Sequence, residues 1–137
     1  MAGHHGPDET IDWSSIEIDL DVVLRTKANL LVIGPEYFVT NVIRRILVDL
    51  PANFVSPCAA GRLPLSLQLL PPGTLVFRDI DELDADGQAL LFDWLESASA
   101  DRQIVCTATS LLPLVNAGAF DPRLYYRLNT VSIGLEK

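Results

Sequence analysis

Short stretches of this chain are apolar at nearly every position rather than at every second one: Asn29-Leu-Leu-Val-Ile33, Gly73-Thr-Leu-Val-Phe77 and Ile104-Val-Cys-Thr-Ala108. A strand with one wet face alternates polar and apolar residues, so a strand apolar throughout needs cover on both faces. Between these runs lie stretches with helical periodicity. Strands that alternate with helices require crossover connections, and these make neighbouring strands parallel. The pattern predicts an α/β three-layer αβα sandwich around a mostly parallel sheet. The 137 residues suffice for one such domain and not for two.

The pattern also places the elements. Residues 1–12 are Gly, Pro, His and acid and read as a flexible leader, leaving residues 13–137 as a single domain. Upstream of the first strand, Ile16, Ile18, Leu20 and Val22 alternate like a strand, while Ser14-x-x-Glu17 is a capping-box pattern with Leu20, Val23 and Leu24 at helical spacing. The helical reading is preferred over residues 20–26. Gly34-Pro35 closes the first strand, and a helix follows with Phe38, Val42, Ile43, Ile46 and Leu47 on its apolar stripe and Pro51 as its stop. Residues 53–56 read as a short strand, and 65–70 as a short helix in a proline-broken segment. Asp84 is placed to cap a helix over 88–98, with Leu91, Trp94 and Leu95 on one face. Short helices over 111–116 and 122–127 and a last strand over 130–133 complete the chain. Leu75, Phe77, Val105 and Ile133 are expected in adjacent central strands, essentially buried.

Composition removes several function classes. Eighteen acidic against ten basic residues give a net charge of −8, and phosphate backbones are bound by concentrated basic faces. Direct nucleic-acid binding is not expected. The acid clusters at 8–21 and 79–101, which suits a solvated surface or a docking face for a basic partner. There is no long apolar run and no basic-then-apolar start, so neither a membrane span nor a secretion signal is expected, and the chain reads as cytoplasmic. Cys58 and Cys106 are isolated from each other and His4 and His5 sit in the leader, so neither a disulfide framework nor a metal site is expected. Cys106 and Trp94 read as core, Tyr125 and Tyr126 as packing residues, and Trp13 as an exposed aromatic available to a partner.

In a parallel sheet, chemistry collects at the carboxyl ends of the strands, here the turns after Ile33, Phe77 and Ala108. A phosphate-binding loop after the first strand needs glycines whose backbone N–H groups wrap the phosphates, a lysine against their charge, and a Ser or Thr for Mg²⁺. This loop reads Gly34-Pro-Glu-Tyr-Phe-Val-Thr-Asn41. Glu36 opposes phosphate, and Tyr37 and Phe38 are bulky where a nucleotide would lie.

Gly73-Thr-Leu-Val-Phe-Arg-Asp-Ile-Asp-Glu-Leu83, Gln88-Ala-Leu-Leu91, Thr107-Ala-Thr109, Gly118-Ala-Phe120 and Leu124-Tyr-Tyr-Arg-Leu-Asn129, in this order and spacing, resemble the AAA+ domain of bacterial enhancer-binding proteins. These are the NtrC-like ATPases that remodel sigma-54 RNA polymerase. The resemblance covers about residue 20 to the end, and Cys58-Ala-Ala60 resembles another stretch of the family. It implies a P-loop NTPase fold of AAA+ type, with ATP and Mg²⁺ as the family's cofactors. Carried over residue by residue, the Walker A positions are Gly34, Thr40 in place of the lysine, and Asn41. The Walker B pair falls on Arg78 and Asp79, and the sensor asparagine on Ser110. Of two arginines that reach a neighbour's γ-phosphate, the first position is Asp121 and the second survives as Arg127. The sigma-contacting loop has no counterpart between Gly61 and Gly73, and the sequence stops where the helical lid would begin.

The resulting expectation is a degenerate sigma-54-interaction-type module: no enzyme, no ATP or metal, no catalytic residue, acting through a protein partner in bacterial transcription control or two-component signalling. The partner would be a homologous AAA+ subunit or a second copy. The alternative is an ATP-binding regulator that retains weak nucleotide binding. Arg78 either attracts a phosphate or pairs with Asp81 or Glu82. Arg127 either acts in trans or pairs with the acidic face of its own domain. A receiver-like role for Asp79 as phosphoacceptor is disfavoured, because the first strand ends in Ile33-Gly-Pro and the only late lysine is Lys137.

Overall fold

The computed structural model describes residues 11–49, 73–96 and 102–134 in full and the backbone of residues 54–56. His4, His5, Cys58, the Cys58-Ala-Ala60 stretch and the expected helix over 65–70 lie outside the described residues. The elements are α1 (Trp13–Thr26), β1 (Leu30–Ile33), α2 (Glu36–Asp49), β2 (Phe54–Ser56), β3 (Gly73–Phe77), a 3-10 turn (Ile80–Glu82), α3 (Ala85–Glu96), β4 (Arg102–Ala108), α4 (Leu112–Asn116), α5 (Pro122–Leu128) and β5 (Val131–Gly134). The described strands form one sheet in the order β2-β3-β4-β1-β5, with every pairing parallel.

Alternate residues along each strand feed two separate cores. Leu31, Ile33, Leu75, Phe77, Ile104 and Cys106 face α3 and α5, together with Leu91, Trp94, Leu124 and Leu128. Leu30, Val32, Val76, Val105 and Ile133 face α1 and α2, together with Leu20, Val23, Phe38, Val42 and Ile46. The apolar runs therefore serve both faces, as a sheet covered by helices on each side demands. Leu75, Phe77, Val105 and Ile133 are all buried. They do not form one central group: the first two lie on the α3 side and the last two on the α1 side, and Ile133 belongs to edge strand β5.

The helix starts differ from expectation for local reasons. α1 begins at Trp13, because Asp12 caps it by accepting the Ser15 N–H at 3.3 Å and the Ser14 hydroxyl at 2.8 Å. Ser14 is not the cap. Ile16, Leu20 and Val23 turn inward at helical spacing while Ile18 is exposed, so the strand-like alternation has no structural counterpart. Ile11, assigned to the leader by composition, is buried. Trp13 packs against the α1–α2 core instead of standing exposed. Leu47 lies outside the buried stripe of α2, and Val39 takes its place. α3 starts at Ala85, with Asp84 accepting the Gly87 N–H at 2.7 Å. Cys106 is fully buried, and burial pushes its thiol far up, which makes it a poor nucleophile.

Candidate functional site

The carboxyl ends of β1, β3 and β4 lie side by side, and the loops that leave them form one surface. The Gly34 N–H donates to the Ala108 carbonyl at 3.0 Å, joining the turns after β1 and β4. Pro35 brings no N–H. Its carbonyl accepts the N–H groups of Phe38 and Val39 at 3.0 and 3.1 Å and starts α2. Two backbone donors of a phosphate cradle are thus missing from this turn: one is engaged and one does not exist.

The first turn of α2 meets the end of β3 through three side chains. Arg78 Nη2 donates to Glu36 Oε2 at 2.9 Å and to Thr40 Oγ1 at 3.0 Å. The Thr40 hydroxyl donates to the same Glu36 oxygen at 2.9 Å, closing a ring. The Arg78 side chain is 28% exposed and that of Glu36 75%. The expected pairing of Arg78 with Asp81 or Glu82 is not the one formed. Asp81 turns the other way, to accept the Thr109 N–H at 3.2 Å, and Arg78 reaches across to α2. Arg78 Nε is buried and has no hydrogen-bond partner among the described residues.

The flanking positions are also engaged. Asp79 has left-handed backbone geometry, φ 59°, and its N–H donates to the Thr107 hydroxyl at 3.0 Å. Burial raises the Asp81 carboxyl above the ordinary range, its N–H donors oppose this, and the charge of Asp79 adds to it. A carboxyl with a raised folded value favours the fold fully only below its unfolded value, so this contribution falls away as pH rises through the raised value. The Ser110 N–H also points at Asp81. Asn41 donates to the Tyr37 carbonyl at 2.7 Å and accepts from Arg44 at 3.2 Å, as a helix-surface residue. Phe38 is buried in the α1–α2 core, with Tyr37 packed against it. Among the described residues, no group of three or more His, Cys, Asp or Glu is placed to hold a metal, and no helix is long and apolar enough to cross a membrane.

The structure therefore brings Gly34, Thr40, Arg78, Asp79 and Ser110 together at the carboxyl ends of the strands and leaves Arg127 at their opposite end, beside Asn29 ahead of β1. Arg127 donates to the Glu96 carboxylate and, through Nη2, to the Leu95 carbonyl at 3.3 Å. It supplies the cation that the last turn of α3 lacks. Its own carbonyl is held by Asn29 at 2.8 Å and Thr130 at 3.2 Å. Tyr125 packs against the core, whereas Tyr126 is 72% exposed and is not a packing residue. Sequence reasoning missed Glu36 as the partner of Arg78. The signal was a lone anion at the start of one helix and a lone cation at the end of a parallel strand.

A family model described as the sigma-54 interaction domain matches residues 9–137. No curated protein matches the chain. Among solved structures, NtrX from Brucella abortus superposes with a TM-score of 0.70 at 14% identity, over 93% of this chain and 37% of that one. NtrX in complex with ATP gives 0.66 at 14% identity, over 93% and 36%. RuvB from Thermotoga maritima gives 0.59 at 16%, over 96% and 45%. The chain spans about a third of the length of the NtrX chains. The shared α/β architecture is that of AAA+ P-loop NTPases. With nearly its whole length matched by the family model, this chain belongs to the sigma-54 interaction domain family.

Proposed function

We propose that this chain is a sigma-54-interaction-type AAA+ module without a working Walker A or Walker B site, and that it acts through protein contacts in bacterial transcription control or signalling. The observation that carries this reading is the ring of Glu36, Thr40 and Arg78. In a nucleotide site of this type a cation from the first helix faces phosphate, and an anion at the end of β3 holds Mg²⁺. Here the anion comes from α2 and the cation from β3. Mg-ATP would meet a threonine with a carboxylate beside it where it needs a lysine, a guanidinium where it needs a metal ligand, and a proline where it needs an N–H. Each exchange removes electrostatic stabilisation of a few kcal/mol, roughly. The residues do not fit ATP and Mg²⁺, and no chemical step is assigned to them.

Ligand stabilises a fold only when its concentration exceeds the dissociation constant. Millimolar Mg-ATP is therefore expected to leave the melting temperature within a degree or so of the free protein, read by calorimetry or dye fluorescence. A saturable rise of several degrees would support the alternative, a regulator that binds ATP through unusual residues.

The partner-facing side in this reading is the α4–α5 region, where Leu112 and Tyr126 stand 51% and 72% exposed, and the partner is a homologous AAA+ subunit or a second copy. Arg127 is not its reactive feature, because it is bound to the end of α3. Arg127→Glu would place two carboxylates together and remove that cation, so the melting temperature should fall by a few degrees. An unchanged melting temperature would show that Arg127 has no role within its own domain and return it to the trans reading.

A further inference from the structure

Glu36 does more than fail to bind phosphate. Its carboxylate sits in the first turn of a 14-residue helix, where the partial positive charge of the helix end favours an anion. It also satisfies the guanidinium of Arg78 and the hydroxyl of Thr40 at 2.9 Å each. The cation and the hydroxyl donor converge on one carboxylate oxygen. We propose that Glu36 is a tethered internal anion that takes the place a free oxyanion would occupy, an autoinhibitory contact that ties the start of α2 to the end of β3 and keeps solution anions off Arg78. The proposal rests on the reading of the site as unable to use ATP, and it adds what closes it.

Two features give the contact the character of a plug. The Glu36 side chain is 75% exposed while Arg78 is 28% exposed, so the anion stands on the solvent side of the cation. A carboxylate held two positions from the turn acts at the effective concentration of a short tether, in the millimolar range or above. Free monoanions below that range do not displace it. A polyanion approaching Arg78 also meets a like charge a few ångströms away, which costs it about tenfold or more in affinity at the effective dielectric of a protein surface. Removing the carboxylate leaves the helix end, Arg78 with an Nε that has no partner among the described residues, and Thr40 intact.

The test uses metal-free inorganic pyrophosphate as the probe, with hydrogen exchange of the 34–41 and 78–81 amides and a binding isotherm as readouts. The full chain should show no exchange response to pyrophosphate. Glu36→Gln, isosteric and on an exposed helix position, should exchange faster in both segments, bind pyrophosphate at least about tenfold more tightly than the parent, and regain protection on binding. The double variant Glu36→Gln with Arg78→Met should exchange fast and not be restored. The proposal is overturned if Glu36→Gln binds no better than the parent, or if the double variant binds as well as the single one. Failure of the broader functional reading looks different: the unmodified chain itself would respond to Mg-ATP.

Discussion

Truncating Phe77 to alanine is expected to lower the unfolding free energy by about 3–5 kcal/mol, the range for emptying a large aromatic site in a packed core. Phe77 has no solvent exposure and stands on β3 opposite Cys106 of β4, in the core that also holds Trp94 and Phe120. That loss is a large share of the roughly 5–15 kcal/mol that holds a domain folded. Urea unfolding should show a lower midpoint with an unchanged slope. A variant as stable as the parent would mean that the ring does not occupy the core on the α3 side.

The second large effect is expected at Gln88, a buried amide with three partners. Its Nε2 donates to the carbonyls of Leu83 and Ala119, both at 3.0 Å, and its Oε1 accepts the Asp121 N–H at 2.8 Å. One side chain thus bolts the first turn of α3 to the segment that leads into α5. Gln88→Leu keeps the volume and strands three backbone groups, each costing roughly 1–3 kcal/mol where water does not reach it. A total loss of about 2–4 kcal/mol is expected, since the Asp121 and Ala119 contacts are only partly buried. Gln88→Glu, which keeps the acceptor but sets a buried carboxylate oxygen against the Leu83 and Ala119 carbonyls, should lose at least as much as Gln88→Leu. If Gln88→Leu proved neutral by urea unfolding, the amide would have no bracing role.

The layers of this fold were legible in the residues because a buried parallel strand has a distinctive composition: Leu30-Leu-Val-Ile33 leaves no polar face to guess about. Turn chemistry was legible for the same kind of reason, since Asp84 and Gly34-Pro35 each have a local cause. α1 was misread at its start because Asp12 and Ser14 compete for the same cap, and only the packing of Ile11 and Trp13 decides between them. The strand-like alternation from Ile16 to Val22 competed with the preferred helical reading because Ile18, apolar in sequence, stands exposed between the inward positions. At the candidate site the residue types were visible but their pairing was not. Nothing local tells Arg78 to prefer Glu36, 42 positions away, over the nearby Asp81. That choice follows from Asp81 being claimed by the backbone of the loop after β4.

The strand order sets a schedule for synthesis. β1 has no neighbour that precedes it: it pairs with β4 and β5, and Leu30 faces Val105 and Val131, with Asn29 bonded to Ile104 75 positions later. At about 5–20 residues per second, a ribosome takes roughly 4–15 seconds to deliver that partner. Throughout this interval a wholly apolar strand and the inward stripe of α2 have left the translation machinery with nothing to pair against. β2 and β3 can meet first, but they form an outer pair of the finished sheet. Among the described strands, the first to be made therefore ends between two that are made later. The waiting β1–α2 segment is where a holding chaperone would have the longest access to this chain, and where slowed translation before residue 102 would cost the most in misassembled product.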